Sequence, residues 1–133
     1  MRIPLAEIRV VHPDQREIEI TSGAMTRVAG VSETLVGAKS IHLAVATIPP
    51  KCASSPHWHT NCESAIFITK GSGRFLVGDS LERELSFTQG DFIYVPPGAP
   101  HQPINDGDDP VEMVVARNAP VEIVEEYLIG RTE

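Results

Sequence analysis

Residues 56–63 read Pro-His-Trp-His-Thr-Asn-Cys-Glu. On an extended segment side chains alternate between faces, so His57 and His59 share one face. Glu63 lies four positions after His59 and returns to that face if the chain bends at Thr60-Asn61. Two imidazole nitrogens and one carboxylate oxygen would then converge, a donor set that suits a divalent metal ion. A third imidazole is available at His101, after the Pro96-Pro97-Gly98 turn. A lone His-x-His also occurs on solvated strand faces. The acid at this offset and the distant histidine are what favour a metal site. No Ser or Cys stands beside an obvious base, so acid–base work would fall to metal-bound water or to one nearby group.

The elements that must position these groups read as strands. Apolar, β-rich or alternating runs occupy residues 41–48, 64–70, 74–77, 81–87, 91–95, 101–105 and 111–117. Gly, Pro or Asp closes most of them. Pro97-Gly98 suits the centre of a type II turn, and a short glycine loop at 71–73 predicts a hairpin. Turn signals recur about every 8–12 residues, the spacing of an all-β barrel or sandwich. Residues 7–11 predict one more strand. The segment from 118 onward fits either a helix with Pro120 in its first turn or an edge strand through Val121–Tyr127.

Two stretches resemble the motifs of the cupin superfamily. The first family motif is Gly, five residues, His-x-His, three or four residues, Glu, six residues, Gly. His57, His59, Glu63 and Gly71 follow it, with one extra residue before Gly71 and Lys51 where the leading Gly belongs. The second motif is Gly, five residues, Pro-x-Gly, two residues, His, three residues, Asn. Gly90, Pro96, Gly98, His101 and Asn105 match it without a gap. The resemblance implies an antiparallel double-stranded β-helix, the cupin or jelly-roll barrel, as a single domain over 1–133. Its core barrel would span about 41–117, with an N-terminal extension (1–40) and an acidic C-terminal segment (118–133). It also implies one divalent ion (Fe, Mn, Ni, Zn or Cu) held by His57, His59, Glu63 and His101. About two positions would stay open for water or substrate in a six-coordinate site. Similar single-barrel proteins commonly form homodimers.

With Glu63 facing inward, strand parity predicts a lining of Ala65, Phe67 and Thr69, then Pro103 and Asn105, then Met113, Val115 and Arg117. Phe67, Met113 and Arg117 are the candidate substrate contacts. An inward Arg117 could clamp a carboxylate; the plainer alternative is a strand-end Arg paired with a surface acid. Gln102 and Asn105 are candidates to bond the outer nitrogens of the ligating histidines. Trp58 should face outward beside Ile66 and Ile68 and could pack a second sheet or a dimer partner. His12 reads as a surface residue, and His42 as a satisfied core or rim histidine, the alternative being that it faces the pocket.

Composition narrows the function. Eleven Lys and Arg against eighteen Asp and Glu give a net charge of −7 over 133 residues, and no basic cluster exists for nucleic acid. No apolar run approaches a membrane span, and Glu7 and Arg9 interrupt any signal-peptide core. Cys52 and Cys62 make no disulfide framework, so a cytoplasmic protein with two free thiols is expected. Asp106, Asp108, Asp109, Glu112, Glu122, Glu125, Glu126 and Glu133 against Arg117 and Arg131 put most of the charge after residue 105, where it should have little bearing on the site. The expected function is a metal-dependent enzyme on a small organic molecule, oxygenase-like first and isomerase- or decarboxylase-like second. The alternative is a non-catalytic small-molecule or metal-binding cupin.

Overall fold

The computed structural model describes residues 6–19 and 23–126. Alternation decides how its strands face. Along β3 (His42–Ile48) every second residue is buried, from His42 through Ala44 and Ala46 to Ile48. β6 (Ser64–Lys70) does the same with Ser64, Ile66 and Ile68. β11 (Val111–Arg117) buries Val111, Met113 and Arg117 and pairs with both. This sheet is completed by β1 (Glu17–Glu19), β2 (Thr26–Val31) and β9 (Phe92–Val95), in the order β1-β2-β3-β11-β6-β9.

The facing sheet runs β12-β5-β10-β7-β8. Its strands are β5 (His57–His59), β7 (Ser72–Val77), β8 (Arg83–Thr88), β10 (His101–Asn105) and β12 (Val124–Glu126), and the short β4 (Cys52–Ala53) also pairs with β10. Every pairing in both sheets is antiparallel. The architecture is the jelly-roll double-stranded β-helix. Ile48, Ile66, Ile68, Phe75, Phe87, Val111 and Met113 form the core between the sheets. Burying each such side chain contributes about 1.5–3 kcal/mol.

The termini differ from expectation. Residues 7–11 form no strand and are largely exposed. The N-terminal extension instead supplies β1 and β2. The C-terminal segment takes the strand alternative at Val124–Glu126, not the helix, and its continuation to Tyr127 and beyond lies outside the described residues.

Turn positions explain two sequence features. Gly71 has φ +86°, and a Cβ there would sit 2.7 Å from the Pro110 carbonyl oxygen, so glycine is required. Lys51, standing where the motif has glycine, still adopts φ +58°. Its ammonium donates to the Asp106 carbonyl at 2.6 Å, which ties down an otherwise disfavoured backbone. Asn105, the last residue of the second motif, is a structural bracket. Its side-chain amide donates to the carbonyls of Ile48, Pro49 and Asp109, and its Oδ1 accepts from Gly107.

Candidate metal centre

Antiparallel pairing sets His101 directly opposite His57, and alternation along β5 brings His59 to the same side. The three rings lie with centroids 4.4 to 5.3 Å apart, and one nitrogen from each falls within 4.8 Å of the others. All three residues are buried. His57 Nδ1 sits 2.7 Å from the Ser55 carbonyl and His101 Nδ1 sits 2.8 Å from the Ala99 carbonyl. A carbonyl can only accept, so each Nδ1 carries the proton and each Nε2 keeps a free lone pair. Burial pushes the His57 pKa down, and burial with His57 nearby pushes His101 down to about 4. Both rings are therefore neutral at physiological pH, the form that binds a metal. The donor chemistry fits a divalent cation held by His57, His59 and His101.

Glu63 does not join them. It is exposed on the outer side, accepts from the Tyr94 hydroxyl at 3.0 Å on Oε2, and donates its backbone N–H to Asn118 Oδ1. The bend at Thr60-Asn61 exists, but it buries Cys62 and Ser64 and so turns Glu63 away. Parity then runs opposite to expectation along the whole of β6, because a slip of one residue exchanges the faces. Ala65 and Phe67 point outward, Phe67 against Phe92 at 4.7 Å, while Ser64, Ile66 and Ile68 point in. The gain is burial of two isoleucines. Phe67 is thus not a cavity contact, whereas Met113, Val115 and Arg117 do line the cavity as parity on β11 predicts. Gln102 donates to the Ser54 carbonyl and Asn105 to backbone, so neither reaches a ligating ring.

The residue that sequence reasoning missed is Glu122. Its Oε2 lies 2.9 Å from His59 Nδ1 and 3.5 Å from Arg117 Nη1, and its Oε1 lies 2.6 Å from Arg27 Nη2. The basic groups around it hold its carboxyl far below the usual range despite burial. Arg27 continues to Glu19 at 3.2 Å, and Glu19 reaches His42 Nε2 at 3.1 Å. A chain of polar contacts, His59–Glu122–Arg27–Glu19–His42, so runs along one wall, with the ion pairs at its centre between Arg27 and the two carboxylates. The acidic C-terminal segment therefore does bear on the site. The available signal was a single acid enclosed by Val121, Ile123 and Val124. Cys62 also lies near His59 and Glu122, and burial pushes its thiol pKa up.

These groups line a cavity of about 310 Å³. Met25, Ile66, Phe75, Val95, Met113 and Val115 supply an apolar part, and Arg27, His42, Arg117 and Glu122 a polar one. Arg117 points inward, but its guanidinium is already committed. Nε donates to the Ala119 carbonyl and Nη2 to the Pro120 carbonyl, while Nη1 faces Glu122. The partner acid expected at the surface thus stands beside the cavity, with only 15% of its side chain exposed.

Residues 44–117 match the Cupin domain family, and the chain belongs to it. The polyketide cyclase RemF from Streptomyces resistomycificus is similar in fold, at 20% identity and a TM-score of 0.77, with 93% of this chain and 88% of that one covered. A mutant of Bacillus subtilis oxalate decarboxylase shares 25% identity at a TM-score of 0.70, over 85% of this chain. The chain spans about 30% of that enzyme's length. A further structure of that decarboxylase, described for its Mn(II) centres, matches at 24% identity, a TM-score of 0.70 and coverages of 85% and 30%. No curated protein matches. Among the described residues no helix is long and apolar enough to cross a membrane.

Proposed function

We propose that this cupin is a divalent-metal-dependent enzyme acting on a small, mainly apolar organic molecule that carries an uncharged or phenolic oxygen. One observation carries the reading. Three imidazoles converge at a largely apolar cavity whose two arginines are already neutralised by Glu19 and Glu122. A simple carboxylate substrate would have to compete with Glu122 for Arg27 and Arg117. Displacing a buried partner of that kind leaves an uncompensated charge. This argues against the carboxylate clamp that an inward Arg117 could have offered, and for the pairing with an acid.

A metal held by His57, His59 and His101 would supply Lewis acidity toward a ligand oxygen, or oxygen chemistry if it is iron. The chain's own contribution is separate from the metal. Ser55 and Ala99 carbonyls fix two ring orientations, Glu122 faces the third, and Ile66, Phe75, Val95 and Met113 present apolar contact to the substrate body. Oxygenase-like chemistry is the first reading.

Elemental analysis of anaerobically purified protein tests the metal, with close to one divalent ion per chain expected. Protein that rejects Fe, Mn, Ni, Cu and Zn alike would overturn the proposal. Oxygen uptake with catechols, set against turnover of keto acids and dicarboxylates without oxygen, tests the substrate class. Tight dicarboxylate binding by the loaded protein would refute the neutral-ligand argument.

A further inference from the structure

The two sheets do not close on each other along one side of the barrel. β8 is the edge strand of one sheet and β9 of the other. Alternation on β8 puts Arg83 and Leu85 on the same face as Phe87, which is buried and packs near Phe75. Pairing sets Ile93 of β9 opposite Ile66 and Val95 opposite Ser64, so Ile93 and Val95 also point between the sheets. Leu85 nevertheless remains 55% exposed. An inward leucine left in water marks a cleft where a facing strand is missing. The cleft measures about 640 Å³, and small-molecule sites span roughly 300–1,000 Å³. Its charged lining groups are Asp79, Arg83 and Asp91. Asp91 accepts the Thr88 N–H at 2.8 Å within the turn that joins β8 to β9. Asp79 and Arg83 border the β7–β8 loop together, so no unbalanced cation awaits an anionic ligand.

Phe75, Val95 and His101 line both this cleft and the metal cavity. Sheet order puts β2, which carries Arg27, toward the end of its sheet away from β9. It puts β12, which follows Glu122, at the end of the other sheet away from β8. The polar wall of the metal cavity thus lies on one side of the barrel, and Phe75 and Val95 lie toward the other. A molecule that brings an oxygen to the three imidazoles and keeps its apolar body off the polar wall is directed past Phe75 and Val95. We propose that the β8–β9 cleft holds the apolar body of the substrate. The substrate is then an elongated, uncharged molecule with an oxygen at one end and an alkyl or aryl extension at the other. The oxygen end rests on the metal-centre reading, the extension on the cleft alone. Val77, Leu85 and Ile93 set which extensions fit, and docking one removes its surface and that of Leu85 from water.

Calorimetry on the full chain, with the metal it carries and again after chelation, tests this with phenol and its para-ethyl, para-butyl and para-hexyl derivatives. Affinity should rise about fourfold per methylene, the usual gain on burying one. Leu85→Glu should flatten the series. Leu85→Trp, which keeps the wall apolar but fills the cleft, should weaken hexylphenol more than phenol. Ile18→Glu, an equally polar change at an 85% exposed site on the far edge strand β1, should leave the series as it is. Circular dichroism checks that each variant folds. Affinity independent of chain length, a length dependence that survives both Leu85 variants, or no binding of hexylphenol at millimolar concentration would each overturn the proposal. Chelation separates it from the metal-centre reading. Phenol binding that needs the metal but gains nothing with length sinks the cleft and spares the metal. A length dependence that Leu85→Glu removes and chelation does not touch supports the cleft and sinks the metal-bound oxygen.

Discussion

His57 and His101 are held differently from His59 and His42. The first two donate Nδ1–H to the carbonyl two residues earlier in the chain, Ser55 and Ala99. The other two face carboxylates delivered from remote segments, Glu122 and Glu19. Local anchoring forms wherever the strand forms, and no side-chain substitution removes it. Remote anchoring exists only when the β1-β2 hairpin and the segment through Glu122 are docked. The site thus has a self-contained half and a half that reports on the packing of both terminal regions.

The largest expected effect comes from the ligands themselves. His59→Ala and His101→Ala should each abolish stoichiometric metal in elemental analysis. Retention of full metal by either would remove that residue from the ligand set.

Glu122→Ala follows. It strands Arg27 and Arg117 in a buried setting, so a loss of about 3–5 kcal/mol in denaturant unfolding is expected. Removing the carboxylate behind a ligating His should also weaken metal affinity about 10–100-fold by calorimetry. A variant with unchanged affinity and stability would show that the two halves of the site do not differ.

Acid separates the halves further. The neutral folded form of His101 binds its proton only near pH 4, whereas the unfolded chain binds it near 6.5. The unfolded state then holds more protons in that window, so apoprotein stability should fall by about 3 kcal/mol as pH drops from 6.5 to 4. The depressed Glu122 carboxyl adds stability that is present above about pH 4.5 and lost as pH falls further. Glu122→Gln should remove the lower limb of the pH–stability curve and keep the upper one. Loss of both limbs would contradict the separation.

The smallest effect is expected from Glu63→Gln. Metal content should not change, because the carboxylate faces Tyr94 and solvent. A drop in metal would restore Glu63 as a ligand and with it the inward parity of Phe67.

How much was legible follows the same division. The second motif could be read almost residue by residue, since Gly90, Pro96, Gly98, His101 and Asn105 act through local turns and one continuous strand. Met113, Val115 and Arg117 were placed by simple alternation on β11. Glu63 and Phe67 were misplaced because the chain bends between His59 and Ser64, and alternation carries no information across a bend. Once Glu63 was assigned inward, every residue of β6 inherited the error. The choice between an Arg117 clamp and an Arg117–acid pair was not legible for another reason: whether a guanidinium is free depends on which carboxylate folds against it.

The sequence by itself determined the strands between 41 and 117, with ends shifted by one or two residues in places, and, through its resemblance to the cupin motifs, the antiparallel barrel and the three histidines of the site. The strands rest on periodicity and turn residues, the barrel and the histidines on two motifs of fixed spacing. Only the tertiary structure decided that Glu122 stands behind His59 and that Arg27 and Arg117 are neutralised. Those outcomes need segments distant in sequence to meet in a low-dielectric interior. No single stretch of residues encodes such a meeting.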